Sequence, residues 1–411
     1  MSIYRFIVIF LVLALSSTVE AQSSKSSTKT ASSHTSPTAT IQSKPTTPTS
    51  KTNAPIEVYF GPKATDDPTS VFYNLLRFFD SAKVSIYGSA HEIDMIAVAE
   101  KLIQRAEAGV DVQVVVESRW LTLPKNSASI NLLKNSKVKL IPDTKKSGLM
   151  HNKFFIADGK RVWTGSTNLT EHCLLFNYNN GIWIENDKVA QNFLTEFSEE
   201  REGKFGKKGS GRPNTPYPTL TMGSAKVSTY FSPEDEPMSQ VLSLINRSKK
   251  TVDIMCFVFS SEEISDALLL AQKRGVKVRV LFDNSFGSSG STARWRYVPF
   301  KELSKAGIAC KYDDEAAKIH HKIIIVDSHE VLTGSFNLSN NAAKSNDENL
   351  VIIDSADVGI VYQKEFDRLW DFFNGDPGEE VAPDEEDTQN GGDPAPSDDG
   401  DDTKSDKPNL E

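Results

Sequence analysis

The hydrophobic residues of the chain follow two rhythms that recur in the same order in its first and second halves. Runs at 84–87, 110–116, 252–259 and 276–282 are rich in valine and other strand formers and predict strands. Apolar residues spaced three and four apart at 96–106 and 264–272 predict helices, each followed by a glycine, Gly109 or Gly275, where a chain leaving a helix turns left-handed. Several of the strands are too continuously apolar to have a wet face, which predicts sheets covered by helices on both sides. Opening runs at 56–62 and 227–233, Ile-Glu-Val-Tyr-Phe-Gly-Pro and Val-Ser-Thr-Tyr-Phe-Ser-Pro, mark the start of the two copies. The pattern predicts an α/β protein of two related units, 55–202 and 224–375, joined by a Gly-, Lys- and Pro-rich linker at 203–223.

Composition changes the picture mainly at the ends. Arg5, the apolar run 6–15 and the small residues before Ala21 have the layout of a secretory signal at 1–21. The run is too short to span a bilayer, so a secreted or periplasmic chain with no transmembrane segment in its mature form is expected. Residues 22–54 are Ser, Thr, Pro and Lys with almost nothing to bury, and predict a disordered tether. The stretch 376–411 holds fourteen acidic and two basic residues and predicts a disordered acidic tail, so the net charge of −9 belongs to that tail and the body is nearly neutral. Such a body lacks the basic surplus of a dedicated nucleic-acid binder. Three cysteines, Cys173, Cys256 and Cys310, are too few for a disulfide framework or a zinc site, and buried thiols are expected at Cys256 and Cys310.

The candidate chemistry lies in a motif written twice. His151, Lys153, Asp158, Gly165, Ser166 and Asn168 recur at identical spacing as His320, Lys322, Asp327, Gly334, Ser335 and Asn337. In both copies the motif opens a strand, Lys153–Ala157 or Lys322–Val326, and residues two apart on a strand share a face. Each His therefore projects with its Lys, while His321 turns away to a structural role. His34, His91, His172 and His329 have no counterpart at the repeated position and are expected to be bystanders, with lining of the pocket as the alternative for His91 and His172.

Cleaving a phosphodiester needs a nucleophile, an acid for the leaving oxygen, and cationic or hydrogen-bonding groups around the non-bridging oxygens. Paired His, Lys and Asn residues supply all three. One neutral imidazole attacks phosphorus to form a phosphohistidine, and the opposite imidazolium protonates the alcohol. Lys153, Lys322, Asn168 and Asn337 hold the phosphoryl oxygens, and no metal or cofactor is required. No G-x-S-x-G elbow surrounds Ser166 or Ser335, so both are expected as hydrogen-bonding groups beside the phosphate.

These motifs resemble those of the phospholipase D superfamily across about 56–373. The second half, with Lys318-Ile319-His320-His321-Lys322 and Asn346-Asp347-Glu348-Asn349, is similar to the small bacterial endonuclease and cardiolipin-hydrolase-like branch. The resemblance implies two α/β/α domains, each a mixed sheet between helices, forming an intrachain pseudo-dimer with one shared site, in a chain that is otherwise a monomer. It implies His151 as nucleophile, His320 as general acid, and Asp158 and Asp327 as structural residues. It also implies a Glu eleven residues after the motif Asn, hydrogen-bonded to the catalytic His. The second copy has Glu348 there and the first has Asn179. Because a carboxylate favours a charged imidazole, Glu348 is expected to keep His320 protonated while His151 stays neutral; Glu171 is a weaker candidate for the missing carboxylate.

The near-neutral body and the export signal favour phospholipid head-group cleavage giving phosphatidate, with peripheral membrane contact. A metal-independent endonuclease acting on DNA or RNA is the alternative, and an inactive phosphate-ligand binding module is a third reading. Arg119-Trp120, opening an insert that runs to about Lys134, and the segment 286–300, with Arg294, Trp295, Arg296 and Tyr297, are either loops that select the substrate or ordinary loop packing.

Overall fold

The computed structural model describes residues 55–124, 127–145, 147–206, 213–286, 298–314 and 317–373. The predicted signal, tether and acidic tail lie outside the described residues, as do 207–212 of the linker and 287–297 of the second loop. In the first half the elements run β1 (Ile56–Gly61), α1 (Val71–Ser81), β2 (Ser85–Ala90), α2 (Ile96–Glu107), β3 (Asp111–Val116), α3 (Ser127–Lys134) and β4 (Lys139–Pro142). They continue as β5 (Lys153–Ala157), β6 (Arg161–Gly165), α4 (Glu171–Leu175), β7 (Asn179–Glu185) and α5 (Asp187–Arg201).

The second half repeats this order. After β8 (Thr219–Met222) come β9 (Ala225–Ser232), α6 (Pro237–Asn246), β10 (Thr251–Cys256), α7 (Glu262–Lys273), β11 (Lys277–Phe282), α8 (Phe300–Lys305) and β12 (Ala309–Tyr312). β13 (Lys322–Val326), β14 (Glu330–Gly334), α9 (Asn340–Lys344), β15 (Glu348–Asp354) and α10 (Ala356–Phe372) complete it. The predicted strand 252–259 stops at Cys256. The last residues of the predicted linker are strand rather than loop: Met222 is buried, and β8 pairs with β9 at the sheet edge.

The strand orders are β1-β7-β6-β5-β2-β3-β4 and β8-β9-β15-β14-β13-β10-β11-β12, the same path with one added edge strand. Pairs β2/β3, β3/β4, β10/β11 and β11/β12 are parallel and the others antiparallel, so both sheets are mixed. Alternation along the motif strands shows why they had to be apolar throughout. Phe154 and Ile156 enter one core with Phe193 and Phe197 of α5, while Phe155 and Ala157 enter a second core with α1 and α2. In the second half Ile323 and Ile325 join the first of these cores, with Tyr362, Phe366 and Leu369 of α10, and Ile324 and Val326 enter a third core with α6 and α7. One core is thus shared by both sheets, with α5 and α10 in it, and the two halves form one α/β unit around the motif strands.

Candidate active site

Each motif is seated by its own glycine and aspartate. Gly165 and Gly334 both sit at φ +145°, and a Cβ there would come within 2.3 Å of the Asn180 carbonyl oxygen or 2.2 Å of the Asn349 carbonyl oxygen. Only glycine lets β6 and β14 approach their neighbours so closely. Asp158 (φ 54°) and Asp327 (φ 53°) take the left-handed conformation at the turn after β5 and β13. Asp158 accepts the backbone N–H groups of Lys83, Val84 and Ser85, and Asp327 those of Lys249, Lys250 and Thr251. These donors hold both carboxyls below their ordinary pKa despite burial. The two aspartates therefore tie each motif turn to the residues entering β2 or β10.

The two halves meet through the residues that precede the motif strands. The His151 N–H donates to the Asp347 carbonyl at 2.9 Å, and the His320 N–H to the Tyr178 carbonyl at 2.8 Å. Met150 bridges to Asp347 and Ile319 to Tyr178 in parallel pairing. Asn180 donates to Thr333 and Tyr362, and Asn349 donates to Thr164, at 2.6–3.0 Å. A buried ion pair between Lys145 and Asp347 closes the same seam.

This crossing corrects the partner expected for Glu348. Its Oε2 lies 2.7 Å from Nδ1 of His151, in the opposite half, and not beside His320. The physical reason is that β15 leads directly into the backbone pair with Met150, so the first residue of β15 faces the other half's histidine. Glu348 also accepts from Ser335 Oγ (2.6 Å) and Asn346 Nδ2 (3.0 Å). His320 Nδ1 instead lies 3.7 Å from Cys173 Sγ. Glu171 is exposed and takes no part.

Ser166 and Ser335, expected beside phosphate, are fully buried and committed to protein. Ser166 donates to Asn180 Oδ1 and accepts the Asn180 N–H, and Ser335 donates to Glu348 and accepts the Asn349 N–H. They brace the groups that face the site. Lys153 and Lys322 are buried, and each ammonium donates to the carbonyl of its own histidine, at 2.8 and 3.1 Å. Asn168 Oδ1 and Asn337 Oδ1 are shielded from solvent with no hydrogen-bond partner among the described residues, an arrangement suited to a polar ligand.

Burial, followed by the charges of Lys153 and Lys322, holds His151 well below its ordinary pKa; burial and the same two lysines, with His151, do so for His320. Burial pushes Glu348 up to about 7. With three donors directed at Glu348, we assign it as carboxylate and His151 as the neutral ring protonated at Nδ1, which leaves the Nε2 lone pair available. One carboxylate and two ammonium groups then leave the site with one net positive charge, which suits an anionic ligand.

Two residues taken as bystanders or loop belong here. His91 packs edge-on against His151 with ring centroids 4.7 Å apart, and Phe257 occupies the matching place against His320 at 4.9 Å. Trp120 donates from Nε1 to His91 Nε2 at 2.9 Å, so this loop residue supports the interior. Cys173 was also missed. Its signal was legible only as a pair of differences, Cys173 and Asn179 in one copy against Ala342 and Glu348 in the other. His172 stacks near Phe176, His329 pairs with Asp354 at the surface, and His321 is buried with its ring near Phe60. Of the three cysteines, all free thiols, Cys310 is half-buried rather than buried.

Comparison with known proteins matches these features. The family model described as cardiolipin synthase, PLD-like domain, fits residues 75–201 and again 241–370. A mitochondrial cardiolipin hydrolase of Xenopus tropicalis is 37% identical over 137 residues, 33% of this chain and 62% of that protein. A phospholipase D of Rickettsia conorii is 32% identical over 146 residues, 36% of this chain and 70% of that protein. The first curated relatives are thus matched over about six-tenths of their own length. A phosphatidylserine synthase structure from Haemophilus influenzae shares the fold, with a TM-score of 0.57 at 14% identity over 77% of this chain and 87% of that one. With a duplicated His-Lys site shared between two mixed sheets and a family model that fits both halves, the chain belongs to the phospholipase D-like family of phosphodiester-processing enzymes.

Proposed function

We propose that the chain is an exported phosphodiesterase that hydrolyses phospholipids at the head-group ester, leaving phosphatidate. The observation that carries the chemistry is the 2.7 Å contact between His151 Nδ1 and Glu348 across the two halves. A carboxylate on Nδ1 fixes the tautomer whose Nε2 lone pair can attack, as in other oriented imidazoles. In the first step His151 Nε2 bonds to phosphorus, the ester P–O bond breaks, and the departing oxygen takes a proton from His320 Nε2. In the second, water attacks the phosphohistidine, gives its proton to His320, and the P–N bond breaks to release phosphatidate. Lys153 and Lys322 face the negative charge that develops on the non-bridging oxygens, with Asn168 and Asn337 beside them.

A lipid substrate is favoured by the near-neutral body and by the curated relatives, which are named for cardiolipin hydrolysis and phospholipase D activity. Among the described residues no helix is long and apolar enough to cross a membrane, and contact with lipid is proposed to be peripheral. Export rests on the signal-like layout of residues 1–21, and the N-terminal sequence of the mature chain tests it.

The test of activity incubates the full chain, with EDTA, on phosphatidylcholine, cardiolipin, single-stranded DNA and RNA in parallel, beside His151→Ala. Phosphatidate release by the wild type, reduced by about 10⁴-fold or more in the variant, is expected. Cleavage of nucleic acid without lipid turnover replaces the lipid by a polynucleotide. Turnover of none of the four overturns the enzymatic reading, and loss of activity to EDTA overturns metal independence.

A further inference from the structure

The two catalytic histidines have different partners on Nδ1, and the difference is built by a paired exchange of residues. In the second half Ser339 caps α9 by accepting the Ala342 N–H, and Glu348 opens β15. In the first half Thr170 caps α4 by accepting the Cys173 N–H, and Asn179 opens β7. Asn179 is shorter than Glu348 and turns inward: its Nδ2 donates to Cys173 Sγ at 3.3 Å and to the Cys173 carbonyl, and its Oδ1 accepts from Thr167. The backbone N–H of Asn168 also donates to Cys173 Sγ, at 3.3 Å. Cys173 is 2% exposed, and its sulfur stands 3.7 Å from His320 Nδ1.

The proton inventory follows from these contacts. The Asn168 N–H and the Asn179 amide are directed at the sulfur and the Asn177 side chain also bonds to it, so its lone pairs are occupied and its own hydrogen needs an acceptor. His320 Nδ1 is the acceptor within reach. A ring that accepts at Nδ1 carries its hydrogen at Nε2, the opposite tautomer from His151.

We propose that Cys173 is the positioning and proton-relay residue of His320, a thiol standing where the other half uses a carboxylate. In the leaving-group step the Nε2 hydrogen passes to the departing alkoxide while the thiol hydrogen passes to Nδ1, leaving a neutral ring and a thiolate. In the hydrolytic step water gives its proton to Nε2, the Nδ1 hydrogen returns to sulfur, and the starting state is restored. No imidazolium forms at His320. This suits a ring surrounded by Lys322, Lys153, His151 and Lys318, all of which, with burial, oppose a positive charge on it. Burial also raises the Cys173 thiol above its ordinary pKa, so the resting sulfur is protonated. Its thiolate would be met by the Asn168 and Asn179 donors and by the two lysines.

The relay rests on the phosphodiesterase reading, and two measurements keep the two apart. The first uses no substrate: nitrogen-15 NMR of the histidines in the full chain is expected to show His320 Nδ1 unprotonated and Nε2 protonated, with a mixture of tautomers in Cys173→Ala. Protonated Nδ1 in the wild type overturns the relay whatever the substrate. The second is single-turnover release of the leaving group from phosphatidylcholine and from phosphatidyl-p-nitrophenol, whose aryl oxide leaves with little need of a proton. Cys173→Ala is expected to lose about 100-fold on the choline ester, at least ten times its loss on the aryl ester. Cys173→Ser is expected to recover part of that loss. Equal losses on both esters, or no loss on either, overturn the relay. Wild-type inactivity on both lipids defeats the phospholipid reading, and the same ratio is then read on a dinucleotide and a nucleoside p-nitrophenyl phosphate.

Discussion

The two halves share a path through the sheet, a motif and a place in the site, yet they differ at the positions that decide proton location. His151 of the first half is backed by Glu348 of the second; His320 of the second is backed by Cys173 of the first. The contrast continues behind the strands. Asn152 donates to Glu196 and Glu200 of α5, whereas the matching place in the second half holds His321, and Leu369 stands where Glu200 does. Because each half supplies the partner of the other's histidine, duplication alone gives two similar rings. Divergence at a few partner positions gives them separate tasks.

The largest break in this comparison is Glu348→Gln. A glutamine keeps the shape but can present either an N–H or an oxygen to Nδ1, so His151 is no longer held in the tautomer that attacks. By analogy with other carboxylate-oriented imidazoles, a fall in kcat of about 10³- to 10⁴-fold is expected with KM little changed, read in steady-state kinetics. Cys173→Ala is expected to cost less because a thiol is the weaker partner. Loss in Glu348→Gln smaller than that in Cys173→Ala reverses the assignment of nucleophile and acid.

Much of this division was legible in the sequence, and some of it was not. The motif strands and the pairing of Asn179 against Glu348 follow from periodicity and from aligning the two copies, and the mixed sheets from the family resemblance. What the copies cannot reveal is which half each side chain faces. Glu348 is near His320 along the chain, and only the parallel bridges of Met150 with Asp347 and Tyr178 with Ile319 carry it to His151. Cys173 was hidden for a related reason. A cysteine on a five-residue helix reads as packing until Asn179 is seen to turn its amide onto the sulfur. Ser166 and Ser335 show the opposite error, since a hydroxyl next to a motif asparagine looks open to phosphate but is used up by Asn180 and Glu348.

A smaller effect separates the halves by pH. Burial pushes Glu200 up to about 8, with Asp347 adding repulsion, while Ser89 and Asn152 donate to it. An unfolded glutamate titrates near ~4.3, so the folded state holds this proton longer. Between those two values the unfolded chain ionises first, and stability is lost as pH rises, by up to about 1.4 kcal/mol per pH unit for one such group. Below the lower value that stability is fully present. Glu200→Leu, which gives the first half the residue of the second, is expected to flatten the fall in denaturation midpoint between pH 5 and 8. An unchanged slope in urea titrations would show that Glu200 is not held protonated.

The finest distinction lies in the rings that pack on the two histidines. Phe257 packs at a tilt on His320, whereas His91 is tied at both ends, Nδ1 to the Met150 carbonyl at 3.0 Å and Nε2 to the Trp120 indole at 2.9 Å. Indole N–H only donates, so Nε2 accepts and Nδ1 carries the hydrogen given to Met150. Burial, then the competing His151 ring and the Lys153 ammonium, also push His91 well below its ordinary pKa. It is therefore a neutral strut packed edge-on against His151. Trp120→Phe keeps the packing and removes one hydrogen bond, worth about 1 kcal/mol. A roughly fivefold fall in kcat with an unchanged pH profile is expected, because no titrating group is lost. A fall beyond about 100-fold, or one confined to KM, would place Trp120 on the substrate itself and make this loop a recognition element.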